Sequence, residues 1–425
     1  MKNILGKLLD RFKQSRDVKV LAENFLSLSA LKVLGYVFPI ITLPYLARVI
    51  GVDKFGEIAF AAAIIIYFQT LVDFGFNYTA VRDIVRCRED TDRVSKIFSS
   101  IMAAKIILML ISLFILILFI YTLPAFYENR VILLLTFLYI PGYILFPDWF
   151  FQAMEEMKYI TLLNLLAKLL FTGLVFIFIK EKSDYIFQPL LTALGYFVSG
   201  IISIPFILRK YKVKFIIPSV QDLMTTIRES WNMFICLFLP NLYTNFSVIL
   251  LKMYSGVNAT GLYSGGSKFI DLADQLSMVL SRTFYPFLAR RLDRHKTYVI
   301  ISFAVNFVMG LGLFLGADWL IKIFYTNEFA ESARVIKIMA VSPIFMFLMN
   351  TYGQNYLVLI GRENTLRNII IFCSIGGFIL SWLIVPKYSY IGVAITLILV
   401  WGIRGFITLV FASKYKSELI NTSKV

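Results

Sequence analysis

Residues 97–121 read IFSSIMAAKIILMLISLFILILFIY, a run with neither glycine nor proline. A helix rises 1.5 Å per residue, so about 20 apolar residues cross the ~30 Å hydrocarbon core of a bilayer. This run is long enough, and it is one of a series. Apolar segments also fall at about 24–48, 57–80, 130–153, 159–179, 187–208, 230–254, 261–288, 298–324, 333–360, 367–385 and 389–412. Backbone polar groups in lipid must be satisfied internally, which leaves helices or closed barrels. Segment length and the lack of period-2 alternation decide for helices. The expected fold class is all-α integral membrane, with twelve transmembrane helices.

Composition agrees. Of the 425 residues, 59% are hydrophobic and 16% charged, with a mean hydropathy of +0.77. A soluble chain of this length carries roughly 25% charged residues. Residues 1–19 are basic and weakly amphipathic, with Ile4, Leu5, Leu8, Leu9 and Phe12 set against Lys2, Lys7, Arg11, Lys13 and Arg16. The apolar segment that follows is too long for a signal peptide and lacks a small-residue cleavage pattern. The opening stretch reads as an interfacial cytoplasmic lead-in.

Lysine and arginine fix the orientation. One side collects the basic start of the chain, Arg82 to Lys96, Lys158, Arg209 to Lys214, Arg228, Arg290 to Lys296, Arg362, Arg367 and the C-terminal lysines. The opposite loops hold Lys54, Arg130, Lys180, Lys182 and Lys387. This bias puts both termini in the cytoplasm. Much of the +16 net charge is therefore topology, and no nucleic-acid partner is implied. The longest connection is basic and lies midway along the chain. The expected division is a cytoplasmic lead-in over 1–20, an N-terminal six-helix bundle over 21–208, and a cytoplasmic linker over 209–229. A C-terminal six-helix bundle over 230–412 and a cytoplasmic tail over 413–425 complete it.

The halves resemble one another. Gly51-Val-Asp-Lys-Phe-Gly56 recurs as Gly256-Val-Asn-Ala-Thr-Gly261, and Arg130-Val-Ile132 recurs as Arg334-Val-Ile336. A near-constant offset across separate hairpins argues for duplication. Equivalent helices start on the same side, so the repeat is parallel, with a pseudo-two-fold along the membrane normal and a cavity between the bundles.

A charge in the middle of a membrane helix costs ~2.5–3.5 kcal/mol on insertion scales, and several are present. The eighth segment aligns Lys268, Asp271, Gln275 and Arg282 on one face, with Lys268 and Asp271 spaced for an ion pair. The second carries Gln69, Asp73 and Asn77. The fifth carries Asn164, Lys168 and Thr172. Lys32 and Tyr36 lie in the first, and Asn241, Tyr243, Asn245 and Lys252 in the seventh. Asp274 is a further intramembrane carboxylate, and Asp148 follows Pro147 in the fourth. These stripes either line a wet, cationic cleft or hold the bundle together. Lys252 and Arg282, near helix ends, can also snorkel to the interface. Prolines at 39, 44, 147 and 240 interrupt helices that carry polar residues, as gating kinks or as tolerated breaks.

Other chemistries lack material. Cys87, Cys236 and Cys373 are widely separated, and His295, the only histidine, reads as part of a basic loop. Neither a disulfide framework nor a metal spacing is present. Asp90-Thr-Asp92 could hold a metal with a nucleotide sugar, but among Arg86, Arg88, Glu89 and Arg93 it reads as a charged solvated loop. No phosphate-cradling glycine loop or nucleophile elbow occurs.

Several motifs together resemble the polysaccharide (O-antigen, Wzx-type) flippases. They are Phe74-Gly-Phe-Asn-Tyr-Thr-Ala-Val-Arg-Asp83, Pro44-Tyr-Leu-Ala-Arg-Val-Ile-Gly51 with Phe55-Gly56, Pro147-Asp-Trp-Phe-Phe-Gln152 with Met157-Lys-Tyr-Ile160, and Gly261-Leu-Tyr-Ser264 with Lys268. The resemblance covers nearly the whole chain. It implies a MATE-like member of the multidrug/oligosaccharidyl-lipid/polysaccharide exporter superfamily. Such a protein moves an undecaprenyl-diphosphate-linked oligosaccharide across the bacterial inner membrane, next to polysaccharide polymerase machinery. Twelve helices depart from the fourteen of the peptidoglycan lipid II flippases.

The expected mechanism is alternating access. Lys32, Lys168, Lys268 and Arg282, with Tyr36 and Asn241, would hold the diphosphate and acidic sugars. The polyprenyl tail would stay among membrane lipids. Asp73, Asp271 and Asp274 are the candidates for coupling to a proton or sodium gradient. No cofactor or metal is expected. The rivals are a cation-coupled small-molecule exporter of the same fold and a membrane-embedded polysaccharide polymerase or ligase. The latter would typically need a large external loop.

Overall fold

The computed structural model describes the backbone over residues 16–290 and 292–422. Side chains are described for Phe38 and for residues 41–285, 287–289 and 292–415. Among the described residues every regular element is helical. In chain order these are α1 (Arg16–Asp73), α2 (Phe76–Arg86), α3 (Thr91–Thr122), α4 (Pro124–Glu128) and α5 (Arg130–Phe137). There follow α6 (Tyr139–Leu145), α7 (Asp148–Ala153), α8 (Met157–Phe178), α9 (Phe187–Lys210) and α10 (Val220–Phe238). The last are α11 (Thr244–Arg290), α12 (His295–Phe324), α13 (Ser332–Met339), α14 (Ser342–Leu348) and α15 (Glu363–Thr422).

Nine helical runs among the described residues are long and apolar enough to cross a membrane. Their outer faces are greasy. The apolar 18-residue stretch within Thr91–Thr122 has a mean hydropathy of 2.9, and only 28% of it is buried. Leu110 and Phe114 stand 56% and 69% exposed. Soluble monomers rarely expose contiguous apolar patches beyond a few hundred Å², so the solvent for these faces is lipid. The chain is a multi-pass membrane protein.

Three long helices are each broken by one non-helical residue: Gly51 (φ 72) in α1, Gly256 (φ 82) in α11 and Ser389 (φ 53) in α15. The left-handed region suits glycine, which has no Cβ to clash there. Prolines mark two further breaks, whereas Pro39 and Pro44 lie within α1 without interrupting it. Pro147 separates α6 from α7, and Pro240 sits in a 3₁₀ turn, Leu239–Leu242, between α10 and α11.

Contacts divide the chain into two compact units that do not follow its linear order. The first takes Phe68–Phe234 with the described part of Met1–Tyr45. Leu46–Tyr67 belongs to the second, with the described part of Ile235–Val425. The stretch 209–229, expected as a cytoplasmic linker, falls within the first unit. Lys214 N donates to Ser95 Oγ at 3.0 Å, and Ile216 N to Ser99 Oγ at 2.9 Å.

In the second unit, the two glycine-flanked turns meet each other. Asn258 Nδ2 donates to Asp53 Oδ1 at 2.9 Å, across the same offset that relates the two sequences. A Cβ on Gly56 would lie 2.0 Å from Val257 O, and one on Gly261 would lie 2.0 Å from Val52 O. The contact is reciprocal, residue for equivalent residue. Only glycine permits backbones this close.

Candidate functional site

The second unit holds a cavity of about 320 Å³. Its wall includes Ala59, Ala63 and Ile66 of α1, Thr244 and Asn245 at the start of α11, and Trp401 of α15. Beyond the break at Gly256, α11 contributes Tyr263, Ser264, Ser267, Lys268, Asp271 and Asp274. Small residues let α11 pack closely against the end of α12 and the start of α13. Ser332 Oγ donates to Leu262 O at 2.7 Å, and Tyr325 Oη to Gly265 O at 3.2 Å. Lys268 Nζ and Asp271 Oδ2 are 4.0 Å apart, with side chains 43% and 56% exposed. A pair this open adds little stability and leaves both groups available to a ligand. Asp274 Oδ1 is buried with no hydrogen-bond partner, an arrangement that costs free energy unless something else satisfies it. The cavity is amphoteric, with one lysine against two aspartates.

The first unit holds a different ionic cluster. Lys105 of α3 is 2% exposed and Asp73 of α1 is 14% exposed, with Nζ and Oδ1 at 3.0 Å. Lys105 Nζ also donates to Asn77 Oδ1 at 3.0 Å and lies 5.2 Å over the Tyr143 ring. Tyr143 Oη donates to Asp73 Oδ1 at 3.2 Å and accepts from Asn77 Nδ2 at 2.9 Å. Sequence reading passed over Lys105, because the segment around it reads as uniformly apolar. The signal was the lone cation inside that segment.

The remaining expectations fall unevenly. Lys268, Asp271 and Asp274 share one cavity. Arg282 is exposed about four turns further along α11, roughly 21 Å at 1.5 Å per residue, so it does not join them. Asn241 braces the break at Pro240: its Oδ1 accepts from Asn245 Nδ2 at 2.8 Å, and its carbonyl accepts from Tyr67 Oη. Asn245 lines the cavity where Asn241 was expected. Lys168 is half-buried in the first unit. Lys32 and Tyr36 lie on helical backbone whose side chains fall outside the described residues.

Two further readings change. His295 is not in a loop. It opens α12 with 8% exposure, its Nε2 is 3.0 Å from Thr351 O, and Tyr298, Tyr352 and Tyr356 surround it. Asp90 caps α3, accepting from Arg93 N at 3.0 Å. This accounts for half of the Asp-Thr-Asp pattern without a metal. Among the described residues, no group of three or more His, Cys, Asp or Glu could hold one.

The profile of the family described as polysaccharide biosynthesis protein matches residues 21–292. The chain belongs to this family. A provisionally named O-antigen transporter of Escherichia coli (strain K12) is 26% identical over 386 residues, covering 89% of this chain and 93% of that one. Its namesake from Shigella dysenteriae is 26% identical over 386 residues, covering 88% and 96%. Among solved structures, an inward-facing multidrug resistance MATE family transporter of the MOP superfamily aligns with a TM-score of 0.69 at 13% identity. It covers 94% of this chain and all of its own. The lipid II flippase MurJ, in an inward closed conformation, aligns with a TM-score of 0.65 at 15% identity, covering 89% and 87%. The fold is therefore MATE-like, and both curated relatives carry transporter names rather than enzyme names.

In this member of the family the family-like motifs are mostly packing joints. Phe74 stacks on Phe234 at 4.4 Å, and a Cβ on Gly75 (φ 78) would meet Met233 Cβ at 2.6 Å. Thr79 Oγ1 and Ser230 Oγ share a 2.8 Å hydrogen bond, and Arg82 pairs with Glu229 at 2.9 Å. Trp149, Phe150 and Phe151 are buried. These residues dock α2 and α7 within the first unit.

Proposed function

We propose that this family member is a flippase, not an enzyme. It moves undecaprenyl-diphosphate-linked oligosaccharide from the cytoplasmic to the periplasmic leaflet of the bacterial inner membrane, for O-antigen or capsular polysaccharide assembly. The observation that carries the reading is the cavity where Lys268 faces polar side chains inside a lipid-facing protein. Near-full-length likeness to O-antigen transporters supports it. Divided at Gly51, Gly256 and Ser389, the nine long runs cross the bilayer twelve times, with both termini cytoplasmic. Two six-helix bundles, 21–208 and 230–412, then alternate access about a pseudo-two-fold axis, and the reciprocal contact of the two glycine turns is what such an axis produces.

Lys268 meets the diphosphate, since ammonium–phosphate attraction strengthens where water is thinned out. Lys32, Tyr36, Lys168, Asn241 and Arg282 belong to the rest of the path, and Asp271 and Asp274 to coupling with a proton or sodium gradient. The polyprenyl tail remains in lipid, and the flipped unit passes to polysaccharide polymerase machinery. Deletion of the gene is expected to accumulate lipid-linked oligosaccharide on the cytoplasmic leaflet. Lys268→Gln with Arg282→Gln is expected to reduce surface polysaccharide at least tenfold, about 1.4 kcal/mol in transport free energy. Full surface polysaccharide from a folded double variant would remove the cationic path. Drug resistance on expression, with no polysaccharide defect on deletion, would transfer the protein to the small-molecule exporters.

A further inference from the structure

The ionic cluster of the first unit has no part in holding the diphosphate, yet it is the most enclosed charge pair in the described chain. A buried ion pair is a poor device for stability, because apolar side chains of similar volume often do as well or better. Within membrane spans, ionisable residues cluster where function needs them. The shell around the Lys105 ammonium is informative. Asp73 Oδ1 and Asn77 Oδ1 each lie 3.0 Å from Nζ, and the Tyr143 ring face lies 5.2 Å away. Tyr143 Oη stands beside the same carboxylate oxygen at 3.2 Å. The carboxylate and amide oxygens that meet this one positive charge are donors that a hard cation takes, and the phenol hydroxyl braces that carboxylate. All come from helices other than the one that carries Lys105.

We infer that Asp73, Asn77 and Tyr143 form a monovalent-cation site which the protein fills with its own ammonium, Lys105. The tether makes the site neutral in every leaflet exposure, so the first unit needs no free ion to offset Asp73. Any gradient coupling is left to the carboxylates of the second unit. This purpose rests on the transporter reading, whereas the site itself does not.

The experiment is thermal unfolding of the purified full-length protein, in sodium chloride against choline chloride of equal ionic strength. Lys105→Ala vacates the site and exposes it to sodium. The sodium-dependent rise in Tm should exceed that of the wild type by roughly 2–4 °C, the scale of one newly occupied site. Adding Asp73→Asn should abolish the increment, and Lys105→Arg should not produce it. Should Lys105→Ala fail to fold, Lys105→Gln, which retains more of the side-chain stem, takes its place in the same comparison. An increment that is absent, or that survives Asp73→Asn, overturns the inference. No substrate or transport enters the readout, so this result and the flippase result can fail separately.

Discussion

Gly261→Val yields no folded protein in the membrane, and Gly56→Val fails in the same way. At each position a Cβ would sit 2.0 Å from a backbone carbonyl oxygen of the opposing turn, Val52 O or Val257 O. A flexible side chain can swing aside, but a carbonyl moves only with its chain. Here both chains are held by the positive φ of Gly51 and Gly256 and by the Asn258–Asp53 hydrogen bond. Ordinary overpacking costs about 1–3 kcal/mol. Two backbones forced apart belong to the rarer class above ~4 kcal/mol, a large share of a typical 5–15 kcal/mol total. Monodisperse yield after detergent extraction checks the expectation. Gly173→Ala is the matched control: it is exposed on α8 with nothing within 4 Å of the added Cβ. It should be neutral or gain up to about 1 kcal/mol from helix propensity. Equal yields from Gly261→Val and Gly173→Ala would mean that the turns do not need their close approach.

The leading glycines, Gly51 and Gly256, were legible in the sequence because their constraint is local, whereas the close approach at Gly56 and Gly261 is a tertiary contact. A glycine-flanked hexapeptide that recurs announces a shared backbone shape, and both leading glycines adopt positive φ. Span length was legible for the same reason, since hydrocarbon thickness sets it. Partnership within one helix was legible too: Lys268 and Asp271, spaced for an ion pair, do pair, at 4.0 Å and open to the cavity. Partnership between helices was not. Lys105 and Asp73 form the tighter pair, 32 positions apart, because helix rotation and depth align them. Neither quantity is written in a one-dimensional pattern. Asn241 has a structural task that its spacing did not announce. Its polar spacing suggested a cleft, whereas the break at Pro240 frees polar groups nearby and the amide is spent on bracing that break. His295 was misread because basic neighbours suggested a loop, while a cage of tyrosines buries it.

Lys105→Met destabilises the protein by about 3–5 kcal/mol when measured without sodium, and Lys105→Met with Asp73→Leu recovers part of that loss. The single change strands a carboxylate whose Oδ1 keeps only the Tyr143 hydroxyl at 3.2 Å. The double change removes both charges and replaces them with apolar volume that suits the buried position of Lys105. Asn77 Oδ1 loses its donor in either variant and Tyr143 Oη loses its acceptor in the double one, so recovery stops short of complete by about 2 kcal/mol, the cost of two unmet polar groups. Denaturant or thermal unfolding in detergent, run as a double-mutant cycle, gives the coupling directly. A coupling near zero would mean that the pair is solvated and that its 3.0 Å geometry has no energetic content. A large coupling with a stable double variant allows a separate question to be asked of folded protein. If surface polysaccharide then falls, the charges serve transport and are retained despite a stability equivalent that apolar residues could supply. If it does not fall, the cluster is a joint between α1, α3 and α6, and the flippase reading stands on the second unit alone.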